Sequence, residues 1–295
     1  MNMILHNNPT ALIEQGHTLA DPKFKDGNSL KTFDYVVANP PFSDKRWSTG
    51  LTPDEDSFER FKGFGVPPGK QGDYAYLLHI VRTLKSTGKG ACILPHGVLF
   101  RGNAEADIRR NLIKKGYIKG IIGLPANLFY GTGIPACIVV IDKEDAPARK
   151  GIFMIDASAG YIKDGPKNRL RDQDIHKIVD VFNKQGEVPK YSRMVSFDEI
   201  EKSEYNLNLP RYIDSSMPRR LSMNSPLTTP SSRLLMTSKA RFLCDGKAGV
   251  RVLRHFWQLS SPVHALFAAL KPWRGETDHA FRSFPHPLLR VIGTS

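Results

Sequence analysis

Asn39, Pro40, Pro41 and Phe42 follow directly on the apolar run Phe33–Ala38. Their types suit one kind of chemistry, the conversion of a conjugated amino group into a nucleophile. Such a nitrogen reacts poorly because its lone pair is delocalised. The Asn39 side-chain oxygen and the Pro40 carbonyl can each accept one of its hydrogens, drawing it toward a tetrahedral geometry. Two prolines stiffen the loop and fix that carbonyl's direction, and the Phe42 ring offers an extruded base a face for stacking. No strong general base is required, since the proton can leave once the nitrogen is quaternised. The plain alternative is a rigid turn after a strand.

Around this tetrapeptide stand weaker candidates. Lys45, Arg46 and Trp47 can contact a DNA backbone and its bases, or belong to a solvated loop. Asp73 fits a helix N-cap better than a catalytic carboxylate. His96, in the run Leu94, Pro95, His96, Gly97, falls on the cleft side of a strand end. There a loop-organising hydrogen bond fits better than a substrate contact. Gly131, Thr132 and Gly133 need be no more than a turn.

The elements that must position these residues alternate from about residue 33 to 160. Phe33–Ala38 reads as a strand, 74–85 as a helix with Leu77, Leu78, Val81 and Leu84 on one stripe, and 90–94 as a strand closed by Pro95. Asn103 can cap a helix carrying Ala104, Ile108 and Leu112 that stops at Gly116. Residues 118–124, 136–142 and 152–157 are further strands, and 172–183 is an amphipathic helix with Asp172 and Asp174 in its first turn. Residues 196–213 read as an irregular closing segment. This is the grammar of a doubly wound α/β sheet, in which ligands bind at the carboxyl ends of strands. That edge is where Asn39 falls.

The organisation along the chain is two-part. Residues 1–215 carry a modest net charge of +4, whereas 216–295 hold 12 Lys and Arg against 3 Asp and Glu in a Ser-, Pro- and Arg-rich texture. That basic tail reads as disordered or as non-native coding sequence. Cys92, Cys137 and Cys244 form no CxxC pair, so neither a zinc site nor a disulfide framework is expected, and a reducing cytoplasm fits. No apolar run approaches the ~20 residues of a membrane span, and the N-terminus lacks a secretory pattern.

Three long segments carry a resemblance: FDYVVANPPFSDKRW, GDYAYLLHIVRTLKSTGKGACILPHGVLFRGNAEADIRRNLI and IIGLPANLFYGTGIPACIVVIDK, with FMIDAS at 153–158 and YNLNLPRY at 205–212. They resemble the modification subunits of type I restriction–modification systems, adenine-N6 DNA methyltransferases, over residues 1 to about 214. The resemblance implies a Rossmann-like class I S-adenosylmethionine-dependent methyltransferase fold with Asn39, Pro40, Pro41 and Phe42 as its catalytic motif. It implies S-adenosylmethionine as methyl donor and no metal. The partners it implies are double-stranded DNA, a specificity subunit, a restriction subunit and a second modification subunit.

The sequence departs from that family in several respects, the lack of the family's helical N-terminal region among them. The usual glycine-rich strand-to-helix turn, of the type DPACGSGG, and the acidic residue after the next strand are not found. The expected fold is therefore incomplete, lacking its first strands and cofactor cradle and leaving a sheet edge open. Close backbone approach to a ligand needs glycine, so side chains elsewhere cannot replace that cradle. The segment Gly16, His17, Thr18, Leu19, followed by Asp21, matches a stretch that lies near the cofactor's adenine, where many members carry Asp at the position of His17. His17 and Asp21 are therefore either cofactor contacts or surface loop residues. The alternative to an active enzyme is a remnant that pairs with a specificity subunit or DNA without catalysis. Methylation of a protein glutamine amide would use the same chemistry, but the segments LPHGVLFRGNAE and YNLNLPRY favour DNA.

Overall fold

In the computed structural model, residues 12–129, 132–214 and 291–292 are described. Expectations for 1–11, for Gly131 and for the basic segment beyond 215, apart from 291–292, lie outside the described residues. A short hairpin of β1 (Lys25–Asp26) and β2 (Ser29–Leu30) leads into β3 (Phe33–Ala38), α1 (Asp73–Thr83) and β4 (Leu84–Pro95). β3 and β4 pair in parallel, with Val36 opposite Gly90 and Ala38 opposite Cys92. The stripe of leucines predicts helix through residue 85. The structure ends it at Thr83, because Leu84 is already extended and pairs with Phe33.

The chain continues through α2 (Ala104–Lys114), β5 (Ile118–Gly123), β6 (Ala136–Asp142) and β7 (Gly151–Asp156). A hairpin of β8 (Ile162–Asp164) and β9 (Lys167–Arg169) precedes α3 (Asp172–Lys184), β10 (Ser192–Ser196) and α4 (Phe197–Lys202). The last described piece is β11 (Val291–Ile292). The main sheet runs β10-β7-β5-β6-β4-β3-β11. β6 is antiparallel to both β4 and β5, β10 is antiparallel to β7, and β11 pairs in parallel on the β3 edge expected to be open. β3, β4, β5 and β7 thus share one direction, and their carboxyl ends bring residues 39, 96, 124 and 157 to one edge of the sheet.

Period-two alternation divides the core between the two faces of the sheet. Cys92, Leu94, Val139, Ile141, Ile152 and Met154 join one buried cluster with Leu77, Leu78 and Ile80 of α1 and Ile108 and Leu112 of α2. Their neighbours Ala91, Ile93, Ile138, Val140, Phe153 and Ile155 join the other, with Ile175, Ile178 and Phe182 of α3. Helices on both faces of a mixed sheet make three layers. Asp174 accepts the Arg171 backbone N–H at 2.9 Å, closing the first turn of α3. Gly120 admits the Phe182 ring, which would lie 2.5 Å from a Cβ at that position.

The segment expected to be irregular contains α4, started by Ser196, whose hydroxyl accepts the Glu199 N–H. Beyond it, Arg109 ties the closing segment to α2. Its buried guanidinium donates to the carbonyls of Tyr205 at 2.7 Å, Val98 at 3.0 Å and Arg101 at 3.0 Å.

Candidate active site

Asn39 is the first residue beyond β3 and is partly exposed; Pro40 behind it is buried. Phe42 is half-buried, packs against the second core cluster and meets Phe129 edge to face, with ring centroids 5.5 Å apart at 71°. Phe129 belongs to the loop between β5 and β6. That loop is held by the hairpin: Lys167 Nζ donates to the carbonyls of Phe129 at 2.6 Å and Thr132 at 3.1 Å, and Asn168 Nδ2 donates to Ala126 O at 2.7 Å. Neither Phe129 nor the hairpin is among the residues the sequence singles out. Asp164-Gly165 was a usable turn signal, and Gly165 indeed takes a φ of 59°.

Ser43, directly after the tetrapeptide, adopts φ 51°, a left-handed conformation costly for a residue with a Cβ. What holds it there is Asp73, a fully buried carboxylate at the first position of α1. Asp73 Oδ1 accepts the Ser43 N–H at 2.7 Å, and Oδ2 accepts from Arg101 at 2.9 Å. Arg101 also reaches Glu105 at 3.0 Å and Gln71 Oε1 at 3.0 Å. Burial raises the Glu105 carboxyl above its usual range, against the opposing pull of Arg101. The same desolvation lowers the Arg101 guanidinium, but Asp73 and Glu105 outweigh it and raise it overall. Asp73 is thus not the N-cap, a place taken by Gly72; its carboxylate turns back thirty residues to the loop.

The loop beyond Ser43 is equally constrained. Asp44 Oδ2 accepts from Tyr76 OH at 2.9 Å, its Oδ1 from the Arg46 N–H at 2.9 Å, and its carbonyl from the Gly72 N–H at 3.0 Å. Lys45 and Arg46 are exposed, and among the described residues neither side chain is paired with a carboxylate. Trp47 departs from expectation. It is fully buried, donates Nε1–H to Pro68 O at 2.9 Å and packs edge-on to Phe61 at 5.7 Å. Its ring has no free face for a base, so it anchors the loop.

His96 reaches the expected strand end, but its loop-organising bond is made by the backbone N–H, to Pro135 O at 3.0 Å. The ring turns inward. Nε2 is buried beside Gly123 with no hydrogen-bond partner, and desolvation holds the imidazole below its ordinary range against the pull of Asp156. Thr132 caps its own turn, its hydroxyl accepting the Ile134 N–H at 3.1 Å.

His17 and Asp21 lie in one exposed turn. The Asp21 N–H donates to His17 O at 2.8 Å, the Ala20 N–H donates to His17 Nδ1 at 3.0 Å, and Asp21 pairs with Lys23. Leu19 within the turn is buried in the core. Ala20 abuts the far end of the loop that follows β3, since a Cβ at Gly50 would lie 3.4 Å from its own. An exposed imidazole and carboxylate beside the loop fit polar contacts to a heterocycle. Among the described residues no glycine-rich strand-to-helix turn accompanies them, so the fit extends to that edge of a cofactor alone. No group of side chains among the described residues could hold a metal ion, and no described helix is long and apolar enough to cross a membrane.

A mixed sheet with an antiparallel strand between two parallel ones, and a rigid Asn-Pro-Pro-Phe loop at its carboxyl edge, places the molecule with the class I methyltransferase folds. Residues 1–220 match the profile of the N-6 DNA Methylase family, and the chain belongs to that family. It is 33% identical over 222 residues to the type I restriction enzyme MpnII methylase subunit of Mycoplasma pneumoniae, covering 73% of this chain and 40% of that protein. It is also 33% identical over 224 residues to the MjaVII methylase subunit of Methanocaldococcus jannaschii, covering 72% of this chain and 38% of the relative. Among solved structures, the type I restriction-modification methyltransferase subunit from Streptococcus thermophilus superposes with a TM-score of 0.65 at 38% identity, covering 72% of this chain and 45% of that one. The chain thus spans about two fifths of the length of these curated relatives.

Proposed function

We propose that this chain carries the catalytic loop of a type I modification subunit, which transfers a methyl group to the N6 amino group of adenine in DNA. The observation that carries this reading is the Asn39–Phe42 segment at the carboxyl end of β3, clamped through Ser43 by buried Asp73. Asn39 Oδ1 and the Pro40 carbonyl accept the two amino hydrogens and localise the nitrogen lone pair. Phe42, buttressed by Phe129, stacks on the extruded base. Lys45 and Arg46 meet the DNA backbone beside the loop, positioning the strand without reading its sequence.

S-adenosylmethionine, when bound, supplies the electrophilic methyl group. His17 and Asp21 would touch the edge of its adenine ring. Double-stranded DNA, a specificity subunit, a second modification subunit and a restriction subunit are the partners this reading implies.

The test starts with calorimetric titration of S-adenosylmethionine into this chain and into a form extended N-terminally through the family's glycine-rich turn. Transfer of labelled methyl to adenine is then measured with duplex DNA and a specificity subunit. We expect the extended form to bind and transfer, and Asn39→Ala to lower kcat by a factor of about 10²–10³, as for loss of one oxyanion-hole donor. Transfer that survives Asn39→Ala would remove the catalytic role from this loop. No transfer by either form would leave a non-catalytic subunit that only pairs with a partner or DNA.

A further inference from the structure

The opposite edge of the sheet holds a concavity. A cavity of about 710 Å³ opens where β3 and β4 begin and β6 ends, lined by Thr32, Leu84, Tyr117 and Lys143 among others. β3 alone separates it from Asn39 by roughly 20 Å, at ~3.3 Å per residue, so it is no part of the catalytic loop. Its volume lies in the range of small-ligand sites.

Its walls are strongly basic. Arg60, Lys62, Arg82, Lys85, Lys115 and Lys143 line it, and Glu59 is the one carboxylate among the lining residues. Four of the cations have partners: Arg60 holds Asp56, Lys62 and Arg82 share Glu59, and Lys85 holds Asp34. Lys115 and Lys143 are different, since among the described residues neither is paired with a carboxylate. Lys143 Nζ donates to the Leu84 carbonyl at 3.0 Å and sits over the Tyr117 ring at 5.5 Å. Lys115 Nζ lies over the Phe64 ring at 5.2 Å, and the two rings are neighbours, 6.4 Å apart. Two ammonium groups are thus seated on adjacent aromatic rings beside one cavity. Burial, helped by Arg82, pushes the Lys143 ammonium down to about 8, so a charge placed here is held at a cost that an anion would relieve.

We propose that this cavity binds the phosphate groups of a nucleotide or of a nucleic-acid strand, with Lys115 and Lys143 as its principal contacts. Lysine ammonium groups act as point charges toward phosphate, whereas planar carboxylates are matched better by the arginine fork. Ser86 and Thr87 on the rim add hydroxyl donors.

The test is amine-reactive labelling of the full chain, read by mass spectrometry at each lysine. It is run with sodium tripolyphosphate, a single-stranded oligonucleotide or polyglutamate as competitor. Tripolyphosphate or the oligonucleotide should slow labelling of Lys115 and Lys143 several-fold while leaving Lys184, on the far layer, unchanged. Protection at lower concentration by tripolyphosphate identifies a nucleotide site; protection at lower concentration by the oligonucleotide identifies a strand-binding site. Uniform protection of all lysines, no protection, or equal protection by polyglutamate would overturn the proposal. The double variant Lys115→Gln/Lys143→Gln should weaken tripolyphosphate binding about tenfold, the scale of two desolvated charge contacts. Unchanged affinity in that variant, with an unchanged melting temperature, would refute the assignment of these two lysines.

Discussion

Replacing Asp73 tests whether the Asn39–Phe42 loop is held by a buried carboxylate thirty residues away. Asp73→Ala leaves the Ser43 N–H without its 2.7 Å acceptor, and a buried orphan of that kind costs about 1–3 kcal/mol. It also takes one of two carboxylates from Arg101, whose side chain is 26% exposed and still holds Glu105. That loss is discounted for solvent to about 1 kcal/mol. The sum, about 2–4 kcal/mol, lowers the melting temperature by roughly 6–12 °C for a domain of this size. Asp73→Asn keeps an acceptor for Ser43 and loses only the charge, so about 1–2 kcal/mol and roughly 3–6 °C are expected. Thermal melts give the totals, and amide hydrogen exchange at Ser43 locates the cause. That amide should exchange at least tenfold faster in the alanine variant, the ratio that 1.4 kcal/mol implies, and far less so in the asparagine variant. In the methyl-transfer assay the loss should fall on kcat rather than on KM for DNA, with the asparagine variant recovering most of it. Equal melting temperatures for the two variants, or unchanged exchange at Ser43, would refute the clamp.

Trp47 should behave as an anchor: Trp47→Ala lowers stability by about 3–5 kcal/mol, and Trp47→Phe by about 1 kcal/mol for the lost bond to Pro68, both read from urea denaturation. A Trp47→Phe variant that kept its stability but lost DNA affinity would instead restore Trp47 as a DNA contact. Gly120→Ala places a methyl 2.5 Å from the Phe182 ring and should cost about 1–3 kcal/mol. The companion change Phe182→Leu should recover part of that loss, measured as a non-additive double-mutant cycle. His96, whose folded imidazole titrates below its ordinary value of 6.5, contributes stability that is complete above 6.5 and is lost as the pH falls through the folded value. Stability of His96→Gln should therefore fall less than that of the parent when the pH drops below 6.5. Identical pH profiles would show that the buried Nε2 is not the group responsible.

Strand and helix positions were legible because their signals are local. Each face of β4, β6 and β7 carries its own apolar set, so alternating burial on both sides reads as a continuous hydrophobic run. The Asn-Pro-Pro-Phe loop was legible for the same reason, four adjacent residues placed by one strand end. What escaped was decided by distant partners. No local pattern says that Asp73 passes over its own helix cap to reach Ser43, or that Trp47, directly after the exposed Lys45 and Arg46, turns in to find Pro68 and Phe61. His96 lies at the strand end its position implies, yet nothing local tells that its Nε2 turns inward to lie beside Gly123 of β5, two strands away.

Some of the long-range contacts bear directly on Asn39–Phe42: Asp73 and Asp44 fix the chain just beyond it, and the β8–β9 hairpin holds Phe129 against Phe42. Lone-pair localisation by two fixed acceptors needs preorganised geometry more than it needs acid or base strength. If the proposed reaction runs on this loop, the residues that hold it should matter to the rate as much as Asn39–Phe42 themselves. A survey by substitution should therefore find losses in kcat at Asp73, Arg101 and Lys167 that exceed those at Lys45 and Arg46, whose substitution should instead lower the affinity for DNA, and by less as salt is raised.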